Sequence, residues 1–185
     1  MVDATTRPNV PLAGGLYLGI EIGDRQWKIA STVGLGQAPR QKTIDAGDLD
    51  ALMEEVERAK RRFGLQADAP IYSCYEAGRC GFWPHRKLLG VGIENVVVDS
   101  SSIEVNRRKR RAKSDRLDGD KLTLMLVRYC LGDLRTWKVV HPPSPEEEDL
   151  RQLHRGLIAT KRDRTRATNR VKSLLATQGI HMKSL

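Results

Sequence analysis

Leu16-Tyr17-Leu18-Gly19-Ile20-Glu21-Ile22 places apolar residues at 16, 18, 20 and 22 and alternates them with Tyr17, Gly19 and Glu21. A period of two sends alternate side chains to opposite faces, so the stretch predicts a strand with one face set into a core. Gly23-Asp24 then marks a turn. Trp27–Val33 predicts a second strand, with Trp27, Ile29 and Val33 on one face, and Gly34 and Gly36 break it. Arg40–Ile44 is a weaker third strand. Three short strands joined by tight turns predict an antiparallel meander.

Asp48–Phe63 changes the period. Leu49, Leu52, Met53, Val56, Ala59 and Phe63 follow helical spacing, and Gly64 stands where a helix would stop. Pro70–Cys74 returns to strand, Gly81–Leu89 predicts a short helix, and Glu94–Val98 carries the unbroken apolar run Val96-Val97-Val98. Such a run suits a central strand covered on both faces. The strand-helix-strand order implies parallel pairing. The expected fold class is therefore α/β: a mixed sheet, made of the three-strand antiparallel meander plus parallel strands and flanked by helices.

The next stretch is polar and basic. Asp99-Ser100-Ser101-Ser102 predicts a turn or cap, and seven Lys and Arg residues fall between 107 and 116. This run reads as a mobile loop leading into a helix from about Ser114 to Tyr129. Leu117, Leu124 and Val127 would line one side of that helix, with Leu122, Met125 and Leu126 alongside. Pro142-Pro143 closes the unit. Ser144-Pro145-Glu146-Glu147 is a helix start: Ser144 caps, Pro145 suits the first turn, and Glu147 completes a capping box. A long helix is expected to about Gln178, before Gly179. Its heptad seam runs Leu150, Leu157, Arg164, Val171 and Leu153, Thr160, Ala167, Leu174, a coiled-coil pattern with a polar middle. Its flanks are basic, with Arg151, Arg155, Lys161, Arg162, Arg166, Arg170 and Lys172. The expected organisation is a loose tail over 1–15, an α/β domain over 16–141, a long basic helix over 142–180 and a short tail over 181–185.

Composition limits the function. The chain has 185 residues, 39% hydrophobic and 30% charged, with a formal net charge of +9. A clustered positive balance fits a polyanionic partner. Aromatics make up only 5%, which argues against a base-stacking platform as the main binding mode. Cys74, Cys80 and Cys130 are odd in number and form no C-x-x-C pair, so buried reduced thiols in a cytoplasmic protein are expected, not a zinc site. Nothing resembles a signal peptide or a membrane span.

Four acids stand out: Glu21 at the end of the first strand, Glu76 after the fourth, and Asp115 and Asp118 at the start of a helix behind the basic run. Each alone has an ordinary role, as a solvent-facing strand residue, a helix cap or half of a surface ion pair. Together they suggest a metal centre. Asp115 and Asp118, at i and i+3, share a helix face about 5–6 Å apart at Cβ, where like charges need a balancing cation. Hard oxygen donors suit Mg²⁺ (or Mn²⁺), which binds through a few carboxylates plus substrate phosphate. Two such ions can clamp both oxygens of a phosphoryl displacement. His85, His141, His154 and His181 lack ligand spacing, and Phe82, Trp83 and Tyr75 read as core anchors.

Three stretches carry a family resemblance: Tyr75-Glu-Ala-Gly-Arg-Cys-Gly-Phe-Trp83, Val97-Val-Asp-Ser-Ser-Ser-Ile-Glu-Val-Asn-Arg107 and Arg111-Ala-Lys-Ser-Asp-Arg-Leu-Asp118. Glu147-Glu-Asp-Leu-Arg-Gln-Leu-His154 and Leu174-Leu-Ala-Thr-Gln-Gly179 add to it. Over about residues 16–180 the chain resembles the N-terminal part of DEDD-type transposases of the bacterial insertion-sequence family numbered one-ten, relatives of the pilin-gene invertases. The resemblance implies a RuvC-like, RNase H-type domain whose DEDD set binds divalent metal for phosphoryl transfer on DNA. The second, third and fourth acids of that set fall on Glu76, Asp115 and Asp118. The first falls on Glu21, where the family usually has Asp. A misplacement of about 1 Å can cost on the order of a hundredfold in rate, so this departure matters.

Beside the acids, the basic residues Arg107, Arg108, Lys109, Arg110, Arg111, Lys113 and Arg116 are expected to bind phosphate and so position DNA, the partner that the resemblance implies. The resemblance implies a structured guide RNA as well, and a homo-oligomer is expected through the helix over 145–178. Family members continue into a C-terminal domain bearing a serine thought to attack DNA, and none of Ser100, Ser101, Ser102 and Ser114 is expected to be its counterpart. Incomplete activity alone is expected. The alternative is a truncated, non-catalytic nucleic-acid-binding transposase remnant. A junction resolvase, or half of a sugar-kinase or actin-like ATPase suggested by Leu18-Gly-Ile-Glu-Ile-Gly23, are more distant rivals.

Overall fold

The computed structural model describes residues 14–103 and 115–182, with the side chains of 115–118 excepted. The basic run over 107–113 therefore lies outside the described residues. By contacts the chain divides into two units, Met1–Pro142 and Pro143–Leu185.

The first unit is built on a six-stranded mixed sheet. Its strands are β1 (Leu16–Ile22), β2 (Gln26–Thr32), β3 (Arg40–Asp45), β4 (Ile71–Glu76), β5 (Glu94–Val98) and β6 (Val139–Val140). They lie in the order β3-β2-β1-β4-β5-β6. The first three form the antiparallel meander, β1 pairs parallel with β4 and β4 with β5, and β6 closes the edge antiparallel. The two-residue β6 has too little pattern to be read from sequence.

Three helices cover the sheet: α1 (Leu49–Phe63), α2 (Trp83–Gly90) and α3 (Asp115–Cys130). Asp48 caps α1 through the Ala51 N–H at 2.9 Å, and Gly64 ends it in the left-handed conformation, φ 69°. The pleat decides which helix meets which side chain. Leu16, Leu18 and Ile20 face one way and join Trp27, Ile29, Leu52, Val56, Leu88 and Val97 in one core. Tyr17, Tyr72 and Cys74 face the other way and join Leu122, Met125, Leu126 and Cys130 of α3.

Gly19 sits on the α3 side of β1. A Cβ there would lie 2.4 Å from Thr123 Oγ1 and 2.9 Å from Thr123 N. The missing side chain is what lets α3 lie so close to the central strand. Thr123 Oγ1 fills the gap as a donor, 2.8 Å from the Gly119 carbonyl and 3.2 Å from that of Ala30.

Tyr75 is fully buried as expected, but Trp83 is 40% exposed. It lies against Trp27, ring centroids 5.6 Å apart, as a lid on the core's edge and not an anchor within it. Cys74 and Cys130 are buried, while Cys80 is only partly so. Burial pushes the Cys74 thiol well up and the Cys130 thiol to about 12, so neither offers a thiolate near neutrality. Native-state alkylation by iodoacetamide at pH 8, mapped by mass spectrometry, is expected to label Cys80 well before either. Equal labelling of Cys74 would contradict this packing.

A half-buried polar chain ties α2 to the sheet. Ser73 Oγ donates to Asn95 Oδ1 at 2.8 Å, and Asn95 Nδ2 donates to His85 Nδ1 at 2.9 Å. His85 is thereby held as a neutral acceptor. Burial, then Arg86 and His141, lower its pKa below the ordinary 6.5. A lowered folded value means that the unfolded chain takes up the proton first. The stability due to neutral His85 is complete above about pH 6.5 and declines as pH falls through the lower, folded value. Urea midpoints at pH 7.5 and 5.0 are expected to differ more for the wild type than for His85→Gln; equal differences would remove His85 as the cause.

The second unit is α4 (Pro145–Ala176), 32 residues with none buried. Its capping box is complete: Glu147 N–H donates to Ser144 Oγ at 3.2 Å, and Ser144 N–H to Glu147 Oε2 at 3.0 Å. It ends at Thr177, two residues before Gly179. Among the described residues no helix is long and apolar enough to cross a membrane.

Candidate functional site

The parallel pairing of β1 and β4 builds the site. Their register runs from Leu16↔Ile71 to Gly19↔Cys74. Carried two residues further, the same offset brings Glu21 level with Glu76, at neighbouring ends of two central strands. This is the crevice at strand ends where open α/β sheets hold ligands. Both acids line one cleft of about 310 Å³, together with Asp24, Gly78, Arg79, Cys80, Gly119 and Leu122.

Glu76 is exposed at the end of β4. The Glu21 side chain is 42% exposed, and its Oε2, itself screened from solvent, meets Lys28 Nζ at 3.8 Å. Lys28 is the cross-strand neighbour of Glu21 on β2, so the ion pair follows from the meander's register. Glu21 thus has the surface-pair role open to any strand acid and also a place in the cleft. Asp24, in the turn after β1, pairs with Arg79 from the loop after β4. That contact links the two loops that flank the acids.

Asp115 and Asp118 open α3, whose Gly119 and Leu122 line the same cleft. The helix start that carries both residues therefore adjoins Glu21 and Glu76 in the fold. Their side chains, and that of Arg116, lie outside the described residues. Among the described residues no group of three or more His, Cys, Asp or Glu could hold a metal. What is described is half of the expected set. Two carboxylates converge on a solvent-open cleft, and hard oxygen donors there fit a divalent cation such as Mg²⁺.

Sequence reasoning missed Asp24 and Arg79 as cleft residues. The signal was present: Asp24 follows the strand end that carries Glu21, and Arg79 follows Glu76 by three. Opposite charges in two loops at one sheet end become neighbours once the strands pair parallel. Among the described residues that line the cleft there is no histidine.

Over 97% of its length the chain is 36% identical to a curated protein of Sinorhizobium fredii named "Putative transposase y4rJ". The alignment spans 188 positions but only 48% of that relative, so the chain corresponds to about half of it. No family model matches the chain, and no solved structure matches it significantly.

Proposed function

We propose that this chain is the metal-dependent catalytic half of a DNA transposase, with a RuvC-like domain over 16–141. The observation that carries the reading is the meeting of Glu21 and Glu76 at adjoining strand ends, on a cleft also lined by the helix bearing Asp115 and Asp118. The named relative supports the transposase class, and the resemblance supports the DEDD assignment.

In this reading Glu76, Asp115 and Asp118, with Glu21, hold Mg²⁺ or Mn²⁺. The ions would supply charge stabilisation for an in-line displacement at phosphorus, where the bond to the attacking oxygen forms as that to the leaving oxygen breaks. The carboxylates fix ion spacing, and the open cleft admits a backbone phosphate. Arg107, Arg108, Lys109, Arg110, Arg111, Lys113 and Arg116 position DNA through phosphate contacts that specify register and not sequence. A structured guide RNA is a further partner, and α4 joins the chain to another copy. The second half of the longer relative would complete strand transfer.

A second reading has one observation in its favour. The Lys28 ammonium beside Glu21 occupies the charge that a metal would otherwise balance, and suits a non-catalytic, nucleic-acid-binding remnant. Calorimetric titration of Mn²⁺ separates the two. Wild type is expected to bind and Asp115→Ala/Asp118→Ala to lose binding. A folded wild type that takes up no Mn²⁺, with or without duplex DNA, supports the remnant.

A further inference from the structure

The apolar seam of α4 is symmetric end for end. Leu150, Leu153 and Leu157 are spaced by three and four residues; read backwards from the other end, Leu174, Val171 and Ala167 repeat that spacing. All five of the larger residues are exposed within their unit, from 43% at Val171 to 72% at Leu153. A helix of 32 residues with no buried side chain gains little from packing, and isolated helices are only marginally stable in water. Such a seam calls for a partner helix.

Charge decides which partner and in which direction. Residues 146–149 are Glu, Glu, Glu and Asp, whereas residues 150–176 hold eight Lys and Arg against a single Asp163. A parallel copy would set the acidic start beside an acidic start. It would also place Arg164, a seam residue, against its own equivalent. An antiparallel copy removes both like-charge contacts. Leu150 lies level with the other copy's Leu174, Leu153 with its Val171, and Leu157 with its Ala167. The central Arg164 then meets a Thr160 hydroxyl, and the acidic start lies level with uncharged residues 175–178, its last member Asp149 within about one turn, or about 5 Å, of Lys172 along the axis.

We infer that two copies of this chain pair through α4 in antiparallel register, Leu153 opposite Val171. The inference rests on the reading that α4 self-associates and adds its direction. Antiparallel pairing puts the two Pro145 helix starts at opposite ends of a helix pair about 48 Å long. It relates the copies by a two-fold axis near the middle of the helix, the usual symmetry of a closed dimer.

The test uses the whole chain, nuclease-treated, in a Cys80→Ser background. Light scattering gives the mass, and single cysteines report direction. Leu153→Cys and Val171→Cys are oxidised separately and after exchange as a mixture. Antiparallel pairing predicts a mass near twice 20.8 kDa, disulfide-linked dimer in the mixture, and none from either variant alone. In that register the two Leu153→Cys positions stand about 27 Å apart along the axis. A dimer in which each variant links to itself means parallel pairing and overturns the inference while leaving self-association intact. A monomer overturns both and leaves the seam to another segment, such as one from the other half of longer relatives.

Discussion

Gly19→Val is expected to unfold the α/β unit or cost it about 3 kcal/mol or more, toward the upper end of overpacking penalties. The added Cβ meets not only the Thr123 hydroxyl but the Thr123 backbone nitrogen at 2.9 Å and the Gly119 carbonyl at 3.1 Å. A side chain can rotate away; a helix backbone can only retreat as a whole. Retreat would pull Leu122, Met125 and Leu126 out of their core and break the Thr123 bonds to Gly119 and Ala30. Gly19→Ala should be milder, and Gly19→Ala/Thr123→Ala milder still, because the second change removes the 2.4 Å hydroxyl contact but not the backbone one. Gly34→Ala, where a Cβ has open space, is the control and should leave the urea midpoint nearly unchanged. A Gly19→Val chain as stable as wild type would mean that α3 does not press on β1.

Glu76→Gln is expected to abolish Mn²⁺ uptake without unfolding the chain. The residue is exposed at a strand end, so the amide costs the core nothing, but it replaces a charged ligand with a neutral one. Together with Asp115→Ala/Asp118→Ala, it tests the set from both sides of the cleft. Glu21→Gln should weaken uptake less if Lys28 already shares that carboxylate. Undiminished Mn²⁺ binding by Glu76→Gln would place the ion elsewhere and remove the β1–β4 strand ends from the proposed centre. Thermal melts of each variant separate lost ligation from lost folding.

Much of the fold was legible because each element announced itself locally. The alternation at Leu16–Ile22, the helical spacing between Leu49 and Phe63, and the capping box at Ser144 all rest on neighbours within a few residues. Strand-helix-strand order supplied the parallel pairs. What was missed depends on tertiary placement. Val139–Val140 is too short for a period, Trp83 reads as core but ends at its rim, and Asp24 and Arg79 gain meaning only when two loops meet. For the candidate site, the sequence marked Glu21 and Glu76, and the fold brings them to one cleft; the basic run over 107–113 lies outside the described residues.

The β1–β4 pairing joins residues about 55 positions apart, with the whole of α1 between them. Closing such a loop must precede any contact that rewards it, so the pairing belongs to the slower, non-local part of folding. Until it forms, Glu21 and Glu76 are two acids on a wandering chain, with no common cleft. A nascent or partly unfolded copy therefore carries the same acids without the shared pocket. Under the metal reading, the paired strand-end carboxylates come into being only when β1 and β4 dock, well after either acid has been made.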